Sequence, residues 1–230
     1  MNQTTQSLYW QLLENAEAVA HEACQRILAA AEQAITERND SFRIVLAGGR
    51  TPELAYRQLR AANTDWERWH IYYGDERCLP ENDAQRNSVM ASQALLAQVP
   101  IPLEQIHVIP AQLGPAEAAR YYTEEVKQAL PFDMVLLGMG EDGHTASLFP
   151  GHVHPQEELV HAVYHSPKPP PERVSLSVKA LCHTRELLIL VTGASKRDAV
   201  TRWQRGENLP IAQIQPPVGA TVLIDRAALV

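Results

Sequence analysis

An alternation of short apolar runs with longer amphipathic segments constrains this chain more than any other feature. The first run, Phe42-Arg43-Ile44-Val45-Leu46-Ala47, stops at Gly48-Gly49. Runs at 70–73, 106–109, 132–138, 186–191 and 220–224 also read as strands, and 173–178 alternates as a strand does. Between them, 86–97, 115–129 and 195–205 read as helices. Thr51-Pro52 opens another, with proline at a first-turn position where its missing N–H costs nothing. Ahead of all these, Leu12, Ala16, Val19, Ala23, Ile27, Ala30 and Ala34 advance in steps of three and four, which predicts one amphipathic helix over about 7–38. Strands alternating with helices imply a parallel sheet covered on both faces. The expectation is an α/β fold with a mostly parallel sheet, in a single domain over 1–230 whose core occupies about 43–225. In such sheets ligands sit beyond the carboxyl ends of the strands, so the strand-to-helix turns should carry the chemistry.

Four of those turns are candidates to carry it. Gly48-Gly49-Arg50-Thr51 combines glycines that admit close backbone approach with a helix N-terminus that offers free N–H groups to an anion. Gly74-Asp75-Glu76-Arg77 places two carboxylates and a guanidinium at a strand end. Neighbours in an extended turn point different ways, so one of Asp75 and Glu76 can face a given ligand. In Gly138-Met139-Gly140-Glu141-Asp142-Gly143-His144-Thr145-Ala146-Ser147-Leu148-Phe149-Pro150-Gly151 the glycines match G-x-G-x-x-G. A dinucleotide fingerprint opens a long helix, however, and Pro150-Gly151 ends any helix here within about two turns. The glycines instead bring His144 out of a buried strand, with an imidazole that titrates near neutrality as a general base requires. The fourth turn is Gly193-Ala194-Ser195-Lys196, to be read with Arg173, which opens its strand after Pro169-Pro170-Pro171. Lys196 in a first helical turn opposes the helix dipole unless an anion sits there. The proline run is not helical and reads as an extended connector.

Other features carry less. His152-Val153-His154, His161 and His165 have no accompanying H-E-x-x-H, cysteine cluster or carboxylate set, so no metal site is expected. Trp66 and Trp69 read as packing, and Ser147 lacks a G-x-S-x-G elbow. Formal net charge is −7, from 20 Lys+Arg against 27 Asp+Glu, which argues against a nucleic-acid partner. It leaves room for an anionic small molecule in a locally basic pocket. Residues 1–6 show no basic start to a signal segment, and no apolar run approaches membrane-spanning length. Cys24, Cys78 and Cys182 are scattered and odd in number, which fits a reducing cytoplasm.

Taken together, these turns resemble the 6-phosphogluconolactonase family. Gly138 to Gly151 carries most of the match, joined by Gly74 to Arg77 with Asn87-Ser88, Gly48 to Pro52, Arg173, and Gly193 to Lys196. They occur in the family's order over roughly 43–225. The resemblance implies a Rossmann-like three-layer sandwich shared with glucosamine-6-phosphate deaminase/isomerase. It implies hydrolysis of 6-phospho-D-glucono-1,5-lactone to 6-phosphogluconate, in the oxidative pentose phosphate pathway, without metal or cofactor. His144 is then the general base, with Asp75 directed to sugar hydroxyls or the water, and Arg77 to the oxyanion or product carboxylate. Gly49, Arg50, Thr51, Arg173 and Lys196 would hold the phosphate; Asp142, Gly143 and Asn87 would support the site, with Asp142 placed to orient the imidazole. Many relatives have serine where this chain has Arg50, which leaves the backbone cradle and Thr51 as the stronger expectation there. The implied partner is a small anionic phosphosugar lactone, with no nucleic acid or membrane, and the chain is expected as a monomer or small homo-oligomer. Two rivals remain. The deaminase branch carries a glutamate before the Pro-Gly, where this chain has Phe149, and an apolar side chain exchanges no protons. A non-catalytic phosphosugar sensor should add a DNA-binding module, and the first 42 residues show neither a helix-turn-helix nor basic charge.

Overall fold

A computed structural model describes residues 7–229. Residues 1–6, on which the expectation of no signal segment rests, lie outside them. The strands are β1 (Leu8–Leu13), β2 (Phe42–Leu46), β3 (Trp69–Tyr73), β4 (Asp75–Arg77), β5 (Met134–Gly138), β6 (Val160–Val163), β7 (Arg173–Leu176), β8 (Leu187–Val191) and β9 (Ala220–Asp225). The helices are α1 (Ala16–Glu32), α2 (Arg50–Leu59), α3 (Asn87–Ala94), α4 (Pro115–Ala129), α5 (Val178–Cys182), α6 (Arg197–Gln204), α7 (Pro210–Gln213) and α8 (Arg226–Leu229).

Six strands form a parallel sheet in the order β1-β9-β8-β5-β2-β3. Its central strands are apolar throughout because helices cover both faces, as the α/β expectation requires: Ile44 to Leu46, Met134 to Leu137 and Leu187 to Val191 are all buried. Helices α1 and α2 pack against each other and against the sheet. A separate antiparallel sheet, β4-β7-β6, lies beside it and packs on α4. β4, at three residues, is too short to show a period of two, and neither it nor β6 is among the strands expected from the sequence.

Three expectations need correction. The N-terminal helix over 7–38 is a strand followed by a helix. β1 runs parallel to β9, from Leu8 opposite Ala220 to Leu13 opposite Asp225. The Asn15 side chain then caps α1 by accepting from the Ala18 N–H at 2.9 Å. Leu8-Tyr9-Trp10 favours a pleated strand once an open sheet edge is available, and Trp10 packs on Trp203 at 4.8 Å between ring centroids. The run at 106–109 makes one bridge, Ile106 to Ile71, before Pro110 turns the chain away. The run at 173–178 is a strand only to Leu176, because Ser177 caps α5 by accepting from the Ala180 N–H. Trp66 and Trp69 pack together, with Phe42 edge-on to Trp69. Among the described residues no helix is long and apolar enough to cross a membrane, and the three cysteines are unpaired.

Candidate active site

The carboxyl ends of the parallel strands open onto a cleft of about 610 Å³. All the expected catalytic and phosphate-binding residues line it: Gly49, Arg50, Thr51, Asp75, Arg77, His144, Arg173 and Lys196. β2 ends at Leu46 and leads through Ala47 into Gly48-Gly49. A Cβ at Gly48 would lie 2.1 Å from Asn87 Oδ1, so only glycine lets the α3 start approach this turn. Gly49, at φ +107°, begins α2, and Thr51 on its first turn shares a 2.6 Å hydrogen bond with the Thr192 hydroxyl. Across the cleft floor, the Gly193 N–H donates to Asp225 Oδ1 and Oδ2 at 3.0 and 3.1 Å. The Arg50 side chain is exposed at the rim.

Strand alternation decides between the two adjacent carboxylates. Asp75 faces the cleft, where its Oδ2 accepts from Ser147 Oγ at 2.6 Å and its Oδ1 from Asn87 Nδ2 at 3.0 Å. Glu76 faces away and is fully buried. It accepts from the Asn87 and Ser88 N–H groups at the start of α3, at 2.7 and 2.9 Å, and lies 3.4 Å from buried Arg86. Glu76 is therefore a helix anchor. Asn87, expected as a supporting residue, donates to the carboxylate that faces the cleft.

His144 follows β5 on a glycine-built loop. Gly143 adopts φ +85°, and the Gly140 N–H donates to the His144 carbonyl at 2.8 Å. A Cβ on Gly140 would fall 2.0 Å from His144 Nδ1, so the imidazole lies directly on the backbone there. His144 Nδ1 lies 2.5 Å from Asp142 Oδ1. A carboxylate can only accept, so Nδ1 carries the proton and Nε2 keeps its lone pair. Burial has the largest influence on His144 and pushes its pKa below the ordinary value, against the opposing pull of Asp142. Burial works to raise the Asp142 carboxyl, but its hydrogen bonds with His144 outweigh that and hold it low. The imidazole is therefore neutral at pH 7 and oriented by a carboxylate. Buried Phe149 packs on it at 4.9 Å. The Phe149 N–H in turn donates to His154 Nε2 at 3.0 Å, and His154 hydrogen-bonds buried His161 at 3.1 Å.

The basic residues divide. Arg173 is buried and largely occupied: its Nε donates to the Pro170 carbonyl at 3.1 Å and its Nη2 to those of Lys168 and Pro169, each at 3.0 Å. Its Nη1 lies 4.0 Å from Asp75. Arg77 pairs with Arg173 across β4 and β7, and its Nη1 donates to the Gln85 carbonyl. Lys196 reaches the cleft, where burial lowers its pKa and Glu141, 3.8 Å away, opposes that. Lys168, Ser147, Thr192 and Asp225 line or support the cleft but are not among the residues expected from the sequence. Lys168 stands beside the conspicuous proline run, and Asp225 is a lone charge at the end of an apolar strand, so each had a legible signal. Ser147 lies within the 138–151 motif but is raised there only as a nucleophile, and Thr192 had no signal. Among the described residues, no group of three or more His, Cys, Asp or Glu side chains converges as a metal site would need.

A family model described as glucosamine-6-phosphate isomerases/6-phosphogluconolactonase matches residues 14–223. The chain is 40% identical over 236 residues to a 6-phosphogluconolactonase of Streptomyces coelicolor, covering 92% of this chain and 90% of that protein. It is 36% identical over 229 residues to a 6-phosphogluconolactonase of Mycobacterium leprae, covering 93% and 91%. The crystal structure of 6-phosphogluconolactonase from Thermotoga maritima superposes with a TM-score of 0.88 at 28% identity, covering 96% of this chain and all of that one. These likenesses over nearly the whole chain decide it: the chain belongs to the glucosamine-6-phosphate isomerase/6-phosphogluconolactonase family.

Proposed function

We propose that this protein hydrolyses 6-phospho-D-glucono-1,5-lactone to 6-phospho-D-gluconate, the lactone-opening step of the oxidative pentose phosphate pathway. The observation that carries this reading is the neutral His144, held by Asp142 and seated in one cleft with Asp75 and the α2 N-terminus. Nε2 of His144 removes a proton from a water molecule whose oxygen attacks the lactone carbonyl carbon. The tetrahedral intermediate collapses by breaking the bond to the ring oxygen. The histidinium returns its proton to that oxygen, which leaves as a hydroxyl. Asp75, braced by Ser147 and Asn87, accepts from sugar hydroxyls. Arg77 lies in the same cleft as the candidate for the developing oxyanion or product carboxylate.

The α2 N-terminus, Thr51, Arg50 and Lys196 receive the phosphate. Arg173 contributes by holding the Lys168–Pro170 segment and balancing Asp75, since most of its donors are engaged with carbonyls. Phe149 supports the lactonase over the deaminase reading, because the side chain packed on His144 is an apolar ring. Freshly generated lactone, assayed through the product's dehydrogenase, tests the proposal. His144→Ala should lower kcat by roughly 10²- to 10⁴-fold while 6-phosphogluconate still binds. Unchanged kcat would remove the general-base assignment. A wild type that binds 6-phosphogluconate without exceeding the buffer rate would favour a phosphosugar sensor.

A further inference from the structure

Two ammonium groups, from Lys168 and Lys196, approach one carboxylate at the cleft. Lys168 Nζ lies 2.9 Å from Glu141 Oε1, and Lys196 Nζ lies 3.8 Å from Glu141 Oε2. The three residues come from separate segments: the loop before the prolines, the turn after β8, and the glycine loop after β5. Lys168 is set in place by its own backbone. Its carbonyl accepts from Arg173 Nη2 at 3.0 Å and from Ser166 Oγ at 2.8 Å, and its N–H donates to Ser166 Oγ at 3.2 Å. Prolines follow immediately, fixing the backbone beyond it. A buried arginine thus holds a platform whose side chain projects to the cleft. The carboxylate is differently placed, because the Glu141 side chain is 59% exposed and makes no other ion pair among the described residues. Exposed pairs of this kind are weak and readily exchanged.

Two cations held near each other by rigid elements, with an exposed side chain as their shared anion, describe a site for a second anion. We propose that Lys168 joins Lys196 as a phosphate-binding cation, and that Glu141 is the internal counter-ion which the substrate's phosphate displaces. This assignment rests on the phosphosugar reading of the cleft and deepens it. It also explains what Arg173 does for the phosphate without touching it: the guanidinium fixes the segment that delivers Lys168. Because Glu141 competes with the ligand, removing its charge should strengthen binding, whereas removing Lys168 should weaken it.

Calorimetric titration with inorganic phosphate and with 6-phosphogluconate tests this without requiring turnover, and gluconate serves as the control that lacks phosphate. Lys168→Met should weaken both phosphate ligands about tenfold or more and raise KM more than it lowers kcat, with gluconate binding unaltered. Lys168→Arg should recover most of the affinity, which separates loss of the cation from misfolding. Glu141→Gln should tighten both phosphate ligands about two- to tenfold, and that gain should vanish in the presence of Lys168→Met. Phosphate affinities within twofold of wild type in Lys168→Met, with cooperative unfolding retained, would overturn the proposal. So would weaker phosphate binding in Glu141→Gln. If the affinities move as stated while the wild type opens no lactone, the catalytic reading fails and this inference stands.

Discussion

The contact between His144 and Asp142 does two opposing things. The carboxylate stabilises an imidazolium, which raises the histidine pKa, and it fixes the neutral tautomer that leaves Nε2 as the base. Burial prevails over the first effect, so His144 titrates below its ordinary value. A base must be unprotonated, so kcat/KM should fall on acidification with a midpoint below about 6.5, the unperturbed histidine value. Asp142→Asn separates the two roles. Loss of the negative charge should move that acid midpoint further down, while loss of tautomer control should lower the plateau rate at pH 8 about 10- to 1,000-fold. A pH–rate profile of both proteins checks this. A midpoint that moves upward would contradict the assigned balance of burial and charge.

At the scale of elements, the loop after β5 works because glycine removes side chains from defined places. Gly140 keeps an ordinary backbone conformation, so its requirement is purely one of space. An alanine Cβ there would sit 2.0 Å from His144 Nδ1 and 2.8 Å from Asp142 Oδ1. Gly140→Ala should therefore expel the imidazole and lower kcat to within about tenfold of His144→Ala, while urea unfolding stays cooperative. Near-wild-type activity would mean that the loop yields more easily than its contacts indicate. The turn after β3 shows a different device. One carboxylate, Glu76, anchors α3 through the Asn87 and Ser88 N–H groups, and the same helix start supplies the Asn87 side chain that braces Asp75. Two adjacent acidic residues are thus divided between building the site and serving it.

At the scale of the molecule, buried His161, hydrogen-bonded to half-buried His154, ties the site to acid stability. His161 is almost fully buried, and its pKa is pushed down to about 4 by burial, with the neighbouring His154 adding to the shift. Above the unfolded value near 6.5 both states are neutral and the pair has no pH dependence. Below it the unfolded chain binds a proton that the folded protein refuses. Stability is therefore lost as pH falls from about 6.5 towards 4. Between pH 7 and pH 5 this group should cost ~2 kcal/mol in urea unfolding, and His161→Gln should remove most of that difference. An equal loss in both proteins would assign the acid sensitivity elsewhere. The charge distribution belongs to this scale too. Within a chain of net charge −7, Arg50, Arg77, Lys168, Arg173 and Lys196 all line one cleft, so an acidic protein gathers five cationic side chains in one place.

By itself the sequence determined the α/β class and marked the strand-end turns, with His144 among their candidate residues. Apolar runs buried on both faces and glycine-rich turns are local properties that need no knowledge of distant contacts. Long-range pairing decided the rest. Leu8 to Leu13 carry a pattern that helix and strand can both use, and became β1 because the edge of β9, from the far end of the chain, was open to them. Asp75 and Glu76 are indistinguishable by type; antiparallel pairing of β4 with β7 sets which one faces the cleft. Arg173 reads from the sequence as a free cation, whereas the fold directs its Nε and Nη2 to three carbonyls of the neighbouring loop. The physical reason is common to all three. Residue chemistry and local periodicity are written along the chain, but the direction of a side chain depends on partners that only the folded chain brings near.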